Sequence, residues 1–307
     1  MSKKKNILVV GANGLLGTAF RTEMQGCDNY YFGVRKYTDI KGVDVILGNI
    51  EDLTIERDAE KFMDFDVVIN CAAATNVDEI EKSWEANEKA IKTNIEGAER
   101  LAKICKHVGA TLIHISTDYV FDGTIGREYF PSDAHKPLNM YGATKSTGEK
   151  KIIESGCKYI IIRTSWIYSP YSPNFVTNII DKAINNEDVY GTDNIISSPT
   201  SAVNLVCAID TLIHRNLENN IGIYHFTDSG CCTRFDMISF IYSYLNSKGL
   251  VLPQPDSFWN SEVKRPFCSV MSKDSFKKIF GFTPPSWMES LKICIEEYQS
   301  INKKNDE

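Results

Sequence analysis

The chain has 307 residues, 43% of them apolar and 24% charged, with a formal net charge of −6. That is enough for two closely joined domains whose core needs neither metal nor disulfide, and the negative balance argues against nucleic acid as a partner. No apolar run approaches the roughly 18 residues needed to cross a bilayer, no signal-peptide pattern precedes the first glycines, and nine scattered cysteines without a C-x-x-C pair read as reduced thiols, so a cytoplasmic protein with no membrane partner is expected.

In chain order, "NILVV" (6–10) reads as a strand and "LLGTAFRTEM" as the helix after it. Between them "GANGLLG" places Gly11, Gly14 and Gly17 in a G-x-x-G-x-x-G spacing. Glycines there permit a tight turn, close approach of a pyrophosphate and close helix–strand packing, and the helix start offers free N–H groups to an anion. Asn13, Leu15 and Leu16 fill the same loop and are cofactor candidates with it. The next strand, "YYFGV" (30–34), ends in Arg35 and Lys36. An acid at that point selects the ribose hydroxyls of NAD, whereas cations suit the extra phosphate of NADP, so NADPH is expected and NADH is the alternative. "LGNIEDL" (47–53) falls where an adenine-side loop belongs, with Asn49 and Ile50 as contacts. "DVVINCA" (66–72) is a strand, and the small Ala72, Ala73 and Ala74 let a dinucleotide lie close to the backbone.

A single helix is predicted over 79–108, from its charge pairs and apolar period. "TLIHIS" (111–116) is a strand, 141–155 a helix and "YIIIRTS" (159–165) a strand. Continuous apolar strands alternating with helices give an α/β fold, a doubly wound parallel sheet of Rossmann type. Beyond residue 165 the Pro/Ser-rich loops change the texture. Residues 1–165 are read as the dinucleotide-binding domain, its sheet completed by part of 196–227; 166–195 and 228–300 are read as a smaller interleaved substrate domain.

Tyr141 and Lys145 lie four apart in a predicted helix and share a face. A nearby ammonium lowers a phenol's pKa, which makes tyrosine usable as a general acid. The spacing alone selects nothing, since Tyr37/Lys41 and Tyr244/Lys248 repeat it. Context selects Tyr141: its helix follows a strand ending in "STDY", where Thr117, with Ser116 beside it, supplies a hydroxyl for a carbonyl oxygen. Ligands of open α/β sheets bind at the carboxyl ends of strands, so the two motifs read as halves of one carbonyl-reduction site.

With "GANGLLG", "VVINCAAATNVDEIE", "HISTDYVFDG", "PLNMYGATKSTGE", "IIRTSWIY", "SPTSAVNL" and "RPFCS" in this order, the chain resembles the extended short-chain dehydrogenases/reductases. Within them it is similar to the dTDP-4-dehydrorhamnose reductase family, from about residue 6 to 298. The resemblance implies an NAD(P)-dependent oxidoreductase that reduces the C4 keto group of a nucleotide-linked 4-keto-6-deoxyhexose. It implies Thr117, Tyr141 and Lys145 as catalytic hydroxyl, acid and lysine, with Tyr119 and Trp166 shaping the sugar pocket and Asn139 close to the active centre. Thr75, Val77, Ser116, Asp118 and Arg265 complete the substrate-side candidates.

Two stretches depart from the family pattern. "DNIISSPT" (193–200) replaces an Asp-Gln-x-Gly stretch that lies toward the substrate's nucleotide, which opens the alternative of a UDP-linked or 2-acetamido sugar. "GNI" places Asn49 where an acid is usual. A non-catalytic NADP-binding regulatory subunit and an epimerase that returns its cofactor unchanged are the rivals of other kinds. Arg163 and Arg265 are each open to a substrate phosphate or a structural ion pair. Asp118 is open to a loop-capping role. Trp84, Trp259 and Trp287 read as packing aromatics. Glu296 and Glu297 read as a solvated helix face, with a divalent ion at a homodimer contact as the alternative; the five histidines show no metal-ligand spacing, and no metal is expected.

Overall fold

A computed structural model of the chain describes residues 4–25, 27, 29–36, 45–215, 217–259 and 261–305. Tyr37 and Lys41 lie outside the described residues. In chain order the strands are β1 (Ile7–Val10), β2 (Tyr30–Val34), β3 (Val45–Ile46), β4 (Val67–Asn70), β5 (Thr111–Thr117), β6 (Lys158–Thr164), β7 (Ile167–Tyr168), β8 (Val189–Thr192), β9 (Thr200–Ser201), β10 (Gly222–His225) and β11 (Val251–Gln254).

Seven of these strands form one parallel sheet in the order β10-β6-β5-β4-β1-β2-β3. The apolar runs explain why it is parallel and covered on both faces. Successive side chains of a strand point to opposite faces. Accordingly Ile7 and Val9 of β1 join Phe20, Leu205 and Ile209 in one buried layer, while Leu8 and Val10 join Leu101, Ile104 and Leu112 in the other. The helices Leu15–Glu23 and Ala202–His214 supply the first layer, and Ala98–Val108 supplies much of the second. The chain winds outward from β1 through β2 to β3, then resumes at β4 on the other side of β1. The order therefore reverses between β1 and β4, where such sheets open a crevice at their carboxyl ends.

Residues 196–227 contribute β10 and the helix Ala202–His214 to this sheet. A second core gathers Tyr168, Val176, Ile180, Met237, Ile241 and Leu291 around the helices Phe175–Ile184, Arg234–Tyr244 and Trp287–Asn305. Within the 228–300 segment, the helix Asp274–Phe280 packs elsewhere: its Phe276 and Phe280 stack on Tyr224 and Phe226 at the β10 edge of the large sheet. Two aromatic rings on one short helix are buried best against that aromatic edge.

The single helix expected over 79–108 is broken. Val77–Lys82 ends at Ser83, whose extended backbone and side-chain hydroxyl cap the next helix, Trp84–Ala90, through the Ala86 N–H. A widened π turn, Ile91–Gly97, precedes Ala98–Val108. Among the described residues no helix is long and apolar enough to cross a membrane.

Candidate active site

The glycine turn forms the floor of the crevice. Gly11 has φ +81°, in the left-handed region, and a Cβ there would lie 2.7 Å from the Ala72 nitrogen. A Cβ on Gly17 would lie 2.3 Å from the Gly11 oxygen, so only glycine lets the first helix start this close to β1. Gly14 caps that helix without a side chain, which leaves its first-turn N–H groups facing the crevice. The cleft encloses about 810 Å³ and is walled by Gly11, Asn13, Gly14, Arg35, Lys36, Asn49, Ile50 and Ala72 to Thr75. Arg35 and Lys36 are exposed at its β2 side, and Asn49 donates to Asp52 at 3.3 Å. Leu15, Leu16 and Gly17 do not line the cleft: Leu16 is buried in the core and Leu15 packs against it, because this helix face must cover β1.

One side chain unremarked in the sequence holds the wall. Asn94, 1% exposed in the π turn, accepts from the Ala74 N–H at 2.9 Å and donates to the Ala74 carbonyl at 3.0 Å and to Thr144 at 3.1 Å. The widened turn carries that amide inward. An Asn in a polar helical run gives no local sign of this, since its partner is 20 residues away.

Tyr141 and Lys145 sit on the helix Met140–Ser155, which Asn139 caps by accepting from the Gly142 N–H at 2.9 Å. Asn139 also donates to the Lys264 carbonyl at 2.9 Å and is 5% exposed, so its amide ties the helix start to the C-terminal loop. The Tyr141 phenol lies beside the Thr117 hydroxyl at the end of β5, and its ring packs edge-on to Tyr119 with centroids 5.8 Å apart. Burial pushes the Tyr141 pKa up; the Thr117 hydroxyl opposes this, while Asp118 and Tyr119 add to it.

The sequence-based expectation that Lys145 lowers the Tyr141 pKa therefore fails for this site. Lys145 spends its donors elsewhere, on the Ile115 carbonyl at 2.7 Å, and faces His114 Nε2 at 3.1 Å. The Ala72 N–H donates to Asn70 Oδ1 at 3.0 Å, which turns the Asn70 amide donor toward His114 Nδ1 at 3.1 Å. His114 Nδ1 must then accept, so the hydrogen-bond order assigns the ring proton to Nε2. The Lys145 amine can accept that proton only once it has lost its own. Burial lowers the Lys145 pKa to about 8, against the opposing pull of Glu149 and Cys71, and drives His114 well below its usual range. A chain of polar groups thus runs from the cleft wall at Ala72 through Asn70 and His114 to Lys145.

Three substrate-side candidates turn inward instead. Ser116, 4% exposed, donates to Glu149. Asp118, 2% exposed, accepts from Thr117 at 3.2 Å, Ser197 at 3.2 Å and Ser269 at 2.5 Å; burial raises its pKa to about 6 despite these bonds. Its carboxylate pins the end of β5 to two distant loops rather than facing a pocket. Arg163, 1% exposed, is a structural ion: it bonds Glu149 at 2.7 Å, the Pro131 carbonyl at 3.1 Å and His135 at 2.5 Å. A buried guanidinium stays charged here because Glu149 compensates it inside the fold.

Thr75 is exposed on the cleft wall, Val77 opens the following helix and Trp166 is half-buried with φ +44°. Arg265 pairs with Asp78 at 2.7 Å and hydrogen-bonds Tyr119. In "DNIISSPT" Ser197 and Ser198 are fully buried; only Asp193 and Asn194 are exposed. The tryptophans separate: Trp287 is 8% exposed and packs, whereas Trp84 is 77% and Trp259 46% exposed, against expectation. Trp84 stands at the start of the helix that Ser83 breaks away from its predecessor, and Trp259 is held by its N–H on Thr192 at 2.8 Å. Glu296 and Glu297 accept from Tyr244 at 2.6 Å and Tyr171 at 2.8 Å, and no cluster of three metal-ligating side chains occurs among the described residues.

Comparison with known proteins follows from this geometry. Residues 5–300 match the family described as RmlD substrate binding domain. The dTDP-4-dehydrorhamnose reductase of Burkholderia thailandensis is 30% identical over 96% of this chain and 99% of its own. That of Escherichia coli K12 is 31% identical over 76% of this chain and 79% of its own. The crystal structure of dTDP-4-dehydrorhamnose reductase from Bacillus anthracis, in complex with NADP, superposes with a TM-score of 0.82 at 31% identity, covering 96% of this chain and 99% of that one.

Proposed function

The chain belongs to the RmlD substrate binding domain family, and from that premise we propose that it is an NADPH-dependent reductase of the C4 keto group of a nucleotide-linked 4-keto-6-deoxyhexose, of the dTDP-4-dehydrorhamnose reductase type. The observation that carries the reading is the Tyr141 phenol beside Thr117 at the carboxyl end of β5, on the same helix as Lys145, which His114 and Asn70 link to the wall of the glycine-loop cleft.

The residues fit a dinucleotide. Gly11, Asn13 and Gly14 would hold the pyrophosphate, Asn49 and Ile50 the adenine side, and Ala72 to Ala74 the ribose side, where any larger side chain would fill the cleft. When bound, NADPH supplies the hydride. Tyr141 delivers the proton to the developing alkoxide, and its raised pKa keeps the phenol loaded at neutral pH. Thr117 donates a hydrogen bond to the same oxygen. Lys145 orients the cofactor ribose with the donors it now gives to Ile115.

The test is NADPH consumption with a panel of dTDP-linked, UDP-linked and 2-acetamido 4-keto-6-deoxyhexoses. Stoichiometric loss of NADPH on at least one is expected. Tight NADPH binding with turnover of none would replace the reading by a regulatory one, and conversion without net NADPH loss by an epimerase. Arg35 and Lys36 should carry the preference for NADPH. Replacing both with alanine is expected to raise the KM for NADPH roughly 10- to 100-fold, the worth of charge-assisted bonds to a phosphate, with the KM for NADH nearly unchanged.

A further inference from the structure

Among the described residues no carboxylate pairs with Arg234, a cation on the substrate side of Tyr141. Arg234 opens the helix Arg234–Tyr244 in the second core, and its guanidinium lies between two aromatic rings, 3.9 Å from the Trp166 centroid and 4.2 Å from that of Phe175. Cation–π contact on both faces holds the plane without neutralising the charge. It also leaves the in-plane N–H fork open: among the described residues the hydrogen-bond acceptor it reaches is the Met237 sulfur, at 3.9 Å. Arg265 lies near it, but Asp78 compensates that charge at 2.7 Å. Asp118 also acts on Arg234 through space, yet its oxygens are taken by Thr117, Ser197 and Ser269. Tyr119, which packs on Tyr141, feels both arginines.

Burying a guanidinium without an acid is costly, and here burial lowers its pKa to about 10. A flat fork with open donors, fixed in orientation, matches an oxyanion bidentately. We propose that Arg234, clamped by Trp166 and Phe175, is an anion-binding residue of the substrate pocket that takes the diphosphate of the sugar nucleotide. This rests on the function proposed above, in that the substrate is a nucleoside diphosphate sugar. The strained Trp166 backbone, at φ +44°, then has a purpose: it presents the indole face to the cation.

The experiment uses the NADP-bound protein titrated calorimetrically with dTDP, UDP and inorganic pyrophosphate, on wild type and on Arg234→Gln and Arg234→Lys. Wild type is expected to bind at least one nucleoside diphosphate. Arg234→Gln, which keeps a planar polar end but removes the charge and the reach, should weaken it by about 10- to 100-fold, and Arg234→Lys should recover part of the loss by restoring charge without the fork. The affinity for NADP should not change, which also reports that the variants fold. Equal diphosphate affinity in wild type and Arg234→Gln, or no binding of any of the three by wild type, overturns the proposal. Diphosphate binding that depends on Arg234, with no turnover of any 4-keto sugar, would sink the reductase reading and leave Arg234 standing. Normal turnover with unaltered binding in Arg234→Gln would do the reverse.

Discussion

Tyr141→Phe is expected to lower kcat by about 10²- to 10⁴-fold, the usual worth of a positioned general acid, while NADPH binding stays within twofold or so of wild type. The phenylalanine ring keeps the edge-on contact with Tyr119, so the pocket retains its shape, and only the hydroxyl beside Thr117 is lost. Steady-state kinetics alongside a fluorescence titration of NADPH separates the two quantities. Turnover close to wild type would remove Tyr141 from the chemistry. The pH profile adds a second reading. Burial raises the Tyr141 pKa and lowers that of Lys145 to about 8, so an alkaline limb near that value reports the lysine losing its proton as the pH rises, not the tyrosine. Tyr141 remains protonated through the same range.

Glu149→Ala should produce the largest loss of stability. Glu149 is 1% exposed and accepts from Arg163 at 2.7, 3.0 and 3.2 Å, and from Ser116. Removing it strands a guanidinium that is itself 1% exposed. Breaking one side of such a buried pair costs about 3–5 kcal/mol. Urea unfolding of wild type and variant measures it. Replacing both partners with apolar residues of similar volume, as in Glu149→Met with Arg163→Met, should recover most of the loss, because no charge is left unpaired. A cost below about 1 kcal/mol for Glu149→Ala would show that water reaches Arg163 and that the pair is not sealed. The same variant tests position as well as stability. Ser116 and Arg163 face each other across β5 and β6, one residue before Thr117, so a relaxed pair should also lower kcat in whatever fraction remains folded.

The sequence by itself determined whatever depends on spacing along the chain. Continuous β-branched runs alternating with helical periods imply the covered parallel sheet, and β1, β2, β5 and β6 lie within a residue or so of their expected bounds. G-x-x-G-x-x-G before a helix is a local backbone requirement, and Tyr141 and Lys145 share a helical face because they are four apart. Even the break at Ser83 was legible as a cap signal, a serine with acid two residues on, although the apolar period ran through it. What only the tertiary structure decided is where each charge finds its partner. Arg265 meets Asp78 across 187 residues, Ser116 turns to Glu149 across 33, and Asn94 reaches Ala74 across 20. Residue type says that a buried arginine or aspartate needs compensation, but not from which element it comes. Hence Asp118 and Arg163, plausible substrate contacts on composition, became fastenings between elements, while Arg234, which no motif marked, was left with an open fork. Burial sets the protonation of Tyr141 and Lys145 for the same reason: desolvation is a property of everything packed around a group, and spacing four residues apart carries none of it.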